Sequence, residues 1–519
     1  MTKRFFRLPF LALSAVGLVA GAIGSGEPAI ALLEPSEWTM DAARHLASRA
    51  GFSPRPNEVE RLHALGLDKA VERLVSLEGP EPSPLFEPAH TKRLGRQELA
   101  GKSQDERQKL VREEQRADQE QFQSLRAWWL RRMVLSERPL EEKMTLFLHG
   151  HFATSQRDVR NSYHMLLQNR LLRSHAVGNF KSLVRAISKD PAMLEYLDNN
   201  RNNRRTPNEN YARELLELFT LGIGNYTETD IKEAARALTG WTFEGNEFVF
   251  RDRAHDPGTK TFLGRSGKLT GDDVIDIIFE QKAVETFLPR KLFVFFAHDD
   301  PPAALVEALG AAFKANGWEI KPVLSLLFRS REFYSPRARG SQIKSPVDLV
   351  VGTLRLLEVD PGPSPMAAAL TGRLGQEILL PPSVKGWDGG RAWISSSTIL
   401  DRANFARPVL GLEGAKPVQA RARAKGAPDR KQKADEGLPA SRGVPGWDAK
   451  AGSRAILGCE EEKLTSEEVV DRLVARFLSV PIEKAERETL VGHHRQGRGN
   501  RRLAELIHLV MSSPQYQLQ

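Results

Sequence analysis

Among 519 residues there is one cysteine, Cys459. A lone cysteine excludes an internal disulfide framework and any zinc site built on cysteine pairs. After residue 31 no apolar run approaches the roughly 20 residues needed to cross a bilayer. A phosphate loop is missing too. Gly267-Lys268 is its nearest approach, but Phe262 stands where the first glycine is required and Leu269 where serine or threonine is required. No serine or cysteine nucleophile is set beside the one His–Asp neighbour pair, His255-Asp256, so no catalytic constellation is complete.

An acidic balance is also lacking, since the formal net charge is +9. Residues 411–458 alone hold ten Lys and Arg against five Asp and Glu. More than half of the excess thus lies in a stretch without apolar periodicity. A nucleic-acid reader places its basic residues on an ordered face, so nucleic acid is excluded as the main partner.

What is present begins with a basic start (Lys3, Arg4, Arg7), an apolar run from Leu8 to Ile23, and Ala29-Ile30-Ala31 as a small-x-small cleavage site. This is the layout of a secretory signal peptide over residues 1–31. No cysteine follows to carry a lipid and no twin arginine precedes, so the general secretory route is expected. The mature protein is then periplasmic or extracellular, with no membrane span after cleavage.

The rest of the chain predicts a mainly α fold. Helical spacing runs from Trp38 to Leu77, from Gln104 to Arg132, and through Pro139–His151, Tyr163–Arg173 and Asn179–Leu197. After Trp241 the residues alternate around Gly-Asn and Pro-Gly turns, which predicts a small β-hairpin insertion. Thr270–Asp276 and Thr465–Asp471 repeat one helix-start pattern, as a duplicated helical module would. The expected organisation is a helical domain over 32–410, a disordered basic linker over 411–458, and a small helical tail over 459–519.

The stretch from Thr206 to Trp241 organises the chain. Thr206-Pro207-Asn208-Glu209 reads as a capping box opening one helix, and Thr227 with Asp230 opens a second. Asn210, Glu214 and Glu217 share a face of the first helix, and Glu209 and Glu217 each stand four residues from Arg213. Arginine pairing accounts for such a face; a buried polar or metal site is the sharper reading. On that reading Glu209, Glu214, Glu217 and Asp198 are the catalytic candidates. His149 and His151 are candidate ligands of a divalent metal, although two imidazoles are too few to hold one. On an unbroken helix they also point about 200° apart. Asn199, Asn208, Asn210, Arg213, His255, Asp256 and Trp387 are binding candidates, mostly because they sit on loops between regular elements.

Several long phrases carry a resemblance: AARHLASRAGFSPRPNEVERL, EEKMTLFLHGHFATS, NFKSLVRAISKDPAMLEYLDNN, PNENYARELLELFTLGIGNYTETDIKEAARALTGW, HDPGTKTFLG, KSPVDLVVGTLR and LPPSVKGWDGG. In these the chain resembles domain-of-unknown-function family 1800, a group of mostly exported bacterial proteins. The likeness covers residues 38–410, and the tail from 460 is similar to the ending of longer members. It implies a largely helical fold and supplies no reaction, cofactor or catalytic residue. One departure is Leu148, where many relatives carry tryptophan before the HGHF motif. The sequence therefore points to an exported binding or scaffold protein whose partner is an envelope protein or a glycan. A metal-assisted or carboxylate-driven hydrolase of an envelope or extracellular polymer is the alternative.

Overall fold

The computed structural model describes residues 30–55, 57–81, 85–412 and 456–519. The expected signal peptide lies outside them but for residues 30 and 31, and the expected disordered linker but for 411, 412 and 456–458. The protein is built almost wholly of helices, as its periodicity requires.

α1 (Met40–Arg49) is capped by the Thr39 hydroxyl and is followed by α2 (Glu58–Leu65) and α3 (Leu67–Val75). After the short α4 (Arg96–Leu99) comes α5 (Gln104–Leu135), whose first half is charged and largely exposed. Its buried side chains begin at Gln121 and Phe122 and run through Leu125, Trp129 and Met133, so only its second half docks.

α6 (Pro139–His151) is buried at every position except Gly150. A helix enclosed on all sides is a core element. Its polar residues are therefore paired inside the protein. Glu142, with no exposure, accepts from Arg132, from Arg173 Nε at 2.8 Å and from Trp129 Nε1 at 3.0 Å. Lys143 pairs with Asp348. Around α6 stand α7 (Gln156–Val159), α8 (Ser162–Ser174), α9 (Phe180–Ile187) and α10 (Pro191–Tyr196).

The organising stretch departs from its reading in one respect. α11 (Asn210–Glu214) starts later than the Thr206 box predicts and runs into a π-helical turn, Leu215–Thr220. Thr206 is claimed elsewhere: Asn203 Nδ2 donates to its hydroxyl at 2.9 Å, and the two residues form a β-bridge. Asn208 Oδ1 accepts from the Asn210 amide instead. The second box holds, with Thr227 and Asp230 opening α12 (Glu228–Ala237).

Two antiparallel hairpins follow rather than one. β1 (Trp241–Glu244) pairs with β2 (Glu247–Phe250) in the register Trp241 to Phe250, and β3 (Lys260–Phe262) pairs with β4 (Arg265–Gly267). Then come α13 (Gly271–Ile278), α14 (Lys282–Phe296), α15 (Ala303–Ala315), α16 (Ile320–Arg329), α17 (Pro346–Leu356), α18 (Met366–Arg373), α19 (Ser396–Asn404) and α20 (Ala406–Val409). The C-terminal region adds α21 (Ser466–Phe477), α22 (Lys484–Arg495) and α23 (Asn500–Ser512).

The described residues form two apolar cores, and α6 feeds both. Leu140, Met144 and Leu148 face the first with α9, the π turn and α12–α16, while Leu146 faces the second with α5, α17 and the C-terminal helices. Leu473, Leu506, Val510 and Tyr516 are buried in that second core beside Phe52 and Leu354. The Lys344 amide donates to Gln517 O at 2.8 Å and the Gln519 amide to Gln342 O at 2.9 Å, so the last residues lie as an extended strip against 342–344. No helix among the described residues is long and apolar enough to cross a membrane.

Candidate functional site

The predicted residues sort into three groups once folded. The first closes a loop. Asn199 is fully buried and its Oδ1 accepts from Asn202 Nδ2, which also donates to Ala235 O at 2.9 Å. Asn208 donates its amide to Asn202 Oδ1 and its side chain to Asp198 O. Asp198 adopts the left-handed conformation, φ 55°, and among the described residues its carboxylate reaches only Arg201, at 3.8 Å. These asparagines hold backbone, as short amide side chains in turns commonly do. His255 and Asp256 belong to the same framework. The His255 ring lies 3.0 Å from Thr239 O, whereas Asp256 binds Arg236 at 2.7 Å and the Gly258 amide at 2.8 Å. They face different partners, and the Arg236 guanidinium holds the Asp256 carboxyl below its usual range.

His149 and His151 form the second group, and α6 carries them apart. The His149 ring is enclosed edge-on by Trp129 and Trp387, with centroids 5.5 and 5.6 Å away, and its Nε2 accepts the Leu379 amide at 3.2 Å. Burial lowers it to about 4, so the ring is neutral. His151 serves another purpose. The π turn leaves carbonyls at its end without an intrahelical donor, and such orphans need partners. His151 Nε2 donates to Phe219 O at 3.0 Å, and Lys291 Nζ donates to Leu218 O at 2.9 Å and to His151 Nδ1 at 3.2 Å. Both ring nitrogens are thereby used, and burial brings Lys291 down to about 8. Among the described residues no three His, Cys, Asp or Glu side chains converge to hold a metal ion.

The third group is the surface of α11 and the π turn. Arg213 binds Glu228 at 2.8 Å and Glu209 at 3.4 Å, so arginine pairing accounts for Glu209 but not for Glu217, which accepts instead from Tyr226 Oη at 2.9 Å. Asn210 is exposed. Glu214 differs from all of these: no hydrogen-bond donor reaches it among the described residues. Burial and the neighbouring Glu217 raise it above the usual carboxylate range, while Arg213 and Lys385 pull the other way. Burial raises Tyr196, and the charges of Asp158 and Glu214 add to that rise. Lys385 comes from the loop that carries Trp387, which is pressed on α6 where Gly386 meets the Gly150 carbonyl.

Asp158, Tyr196 and Lys385 were not singled out from the sequence. They come from three segments: folding brings Tyr196 and Lys385 to Glu214, and Asp158 to Tyr196. Asp158 also lines a cleft of about 770 Å³ between the outer face of α5, residues 90–94, α7 and Leu380. That volume is in the range of ligand pockets, roughly 300–1,000 Å³. The cleft is polar, with Gln115, Gln119 and Gln123 along the helix. Four wall carboxylates already have donors: Glu195 has Arg93 at 2.9 Å, Glu377 has Arg126 at 2.9 Å, Asp118 has Gln156 Nε2 at 2.9 Å, and Glu114 has the Leu94 amide at 2.9 Å. Asp158 has none among the described residues. Behind Glu195, His164 Nδ1 lies 3.9 Å from its Oε2, and neither atom has a hydrogen-bond partner among the described residues.

A family model described as Protein of unknown function (DUF1800) matches residues 45–518. No curated protein and no solved structure matches the chain.

Proposed function

Because the chain belongs to the family described as Protein of unknown function (DUF1800), whose description assigns no activity, we propose from the site alone that it is an exported protein that binds a glycan in the cleft along α5. The wall composition carries this reading. Sugar hydroxyls both donate and accept, so they suit walls of amides and carboxylates held still by their own donors. Gln115, Gln119 and Gln123 supply the amides, while paired Glu195, Glu377 and Asp118 supply acceptors at fixed positions. The basic start and apolar run before residue 32 support export.

Titration of purified residues 32–519 with envelope and extracellular oligosaccharides tests it. Binding is expected to weaken tenfold or more in Gln115→Ala/Gln119→Ala, with the melting temperature unchanged. No binding to any oligosaccharide, or equal binding by the variant, overturns the reading. Fractionation of cells making the chain with and without residues 1–31 tests export separately.

Glu214 favours a second reading, a carboxylate-driven hydrolase. A carboxyl held above its usual range by burial, with the Tyr196 hydroxyl in its field, has the raised proton affinity that a general acid requires. Turnover of a bound polymer that disappears in Glu214→Gln while binding persists would establish it; unchanged turnover in that variant, or none in the unaltered chain, rejects it.

A further inference from the structure

Away from the cleft, a small internal void lies where the C-terminal helices meet the N-terminal ones. Its walls are Arg44 and Ser48 of α1, Ser53, Lys344, and Arg476 and Ser479 at the end of α21, with apolar neighbours and no carboxylate. The centre of a water-sized particle has about 10 Å³ in which to move. That is room for one such particle, since a single occupant needs roughly 10–15 Å³.

Arg44 is paired with Asp41 at 2.7 Å, whereas other polar groups facing the void lack partners among the described residues. Lys344 is 3 % exposed, and its Nζ makes no hydrogen bond among the described residues, meeting only the Tyr516 ring face at 4.0 Å. Arg476 spends one nitrogen on Leu356 O at 3.2 Å, and its buried Nε has no acceptor. The hydroxyls of Ser48 and Ser53 make no hydrogen bond among the described residues. Buried donors without acceptors are costly, and more so when charged.

Arg476 lies in the field of Glu358, Glu60 and Glu58, but Lys344 shares its carboxylate with three other cations. Asp348 is the carboxylate whose field acts on Arg49, Lys143, Lys344 and Arg402 together. Its carboxylate accepts from Lys143, Ser345 and Gln519, and not from Lys344. Three helix C-termini, those of α1, α17 and α21, also end here, which accounts for some of the cations. It does not account for a lysine that reaches no carbonyl. Donors converging from three elements on a void the size of one particle, with no acid in its wall, suit a negative occupant better than a neutral one.

We infer that this void binds a monatomic anion of chloride size, held by Lys344 and Arg476 and joining the C-terminal helices to α1. Polyatomic oxyanions such as sulfate and phosphate are too large for it.

The test uses the full chain. Melting temperatures are compared in sodium chloride, sodium bromide and sodium gluconate at equal ionic strength. Crystals soaked in bromide are examined for anomalous scattering at the void. Expected are a higher melting temperature in chloride and bromide than in gluconate, and a bromide peak within contact of Lys344 Nζ. Lys344→Met should melt at the same temperature in all three salts. Equal melting of the unaltered chain in the three salts overturns the inference, as does a non-anomalous water at the void. A bromide peak without any salt-specific stabilisation means an adventitious ion only, and also overturns it. Should Lys344→Met not fold, Ser53→Val, which keeps the charges, is expected to lose the anion response by filling the void.

Discussion

Asp190 and His149 show how burial alone sets a residue's behaviour. Asp190 caps α10, with Gln168 Nε2 and the Met193 amide both donating to its Oδ2 at 2.9 Å, yet burial raises it to about 7. A carboxyl raised in the folded state contributes stability that is complete below its unfolded value and lost as pH rises through the folded one. Asp190→Asn keeps both hydrogen bonds through one oxygen and removes the charge. It should raise the urea midpoint, and by more at pH 8 than at pH 5. His149 has the opposite sign. Its folded value of about 4 lies below the unfolded 6.5, so its contribution is present above 6.5 and is lost as pH falls towards 4. The loss is about 3 kcal/mol at 1.36 kcal/mol per unit. Urea midpoints at pH 7 and 4.5 should diverge less in His149→Gln than in the unaltered chain, and equal divergence would show that the ring is not buried neutral.

Among elements, the π turn and the loop over 381–390 depend on each other through α6. The π turn presents carbonyls to His151 and Lys291, while the loop presses Trp387 on His149, two residues back and on the other side of the helix. Gly386 is where that loop touches the helix. Its φ is +81°, and an added Cβ would lie 2.5 Å from the Gly150 carbonyl oxygen. A left-handed conformation costs a non-glycine residue roughly 1–2 kcal/mol before any clash. Gly386→Ala should therefore destabilise the protein by about 2 kcal/mol or more. Because Lys385 and Trp387 flank it, the same change should also shift Trp387 fluorescence and alter the titration of Glu214, read by carboxyl NMR. Gly389→Ala, next along and also at positive φ but with nothing within 4 Å, serves as the control. It should be destabilised by strain alone and leave Glu214 unmoved.

For the whole molecule, the second core makes the C-terminal helices part of one packed body with α5 and α17. Residues 30–412 alone would expose Phe52, Leu354 and the Asp348 cluster where Tyr516 and Gln519 are missing. Such a fragment should be insoluble or lack a cooperative melt, whereas co-expression with residues 456–519 should restore a soluble pair. A fragment 30–412 that folds alone with the full chain's near-ultraviolet dichroism would contradict this.

Much of this protein was legible in the residues because it rests on local rules. Helical periodicity, the Thr227, Thr270 and Thr465 capping boxes and the turn residues after Trp241 each act within a few positions, and the elements they predict are present. The membership in the family came from long phrases rather than from any short motif. Thr206 failed as a cap because Asn203, three residues back, bonds it first, a competition that spacing does not rank. The site was legible only in part. Glu214 stood out as one carboxylate on a face of several. What separates it from Glu209 and Glu217 is that Arg213 and Tyr226 bind those two. Tyr196 and Lys385 had no sequence signal at all, since they reach Glu214 from elements far apart in the chain. His149 and His151 looked like a pair because they are two residues apart; on a buried helix that spacing sends them to opposite sides. Local residue chemistry determined which elements form and where they begin. Burial and long-range packing decided which polar groups were left without partners, and those are the ones on which function can act.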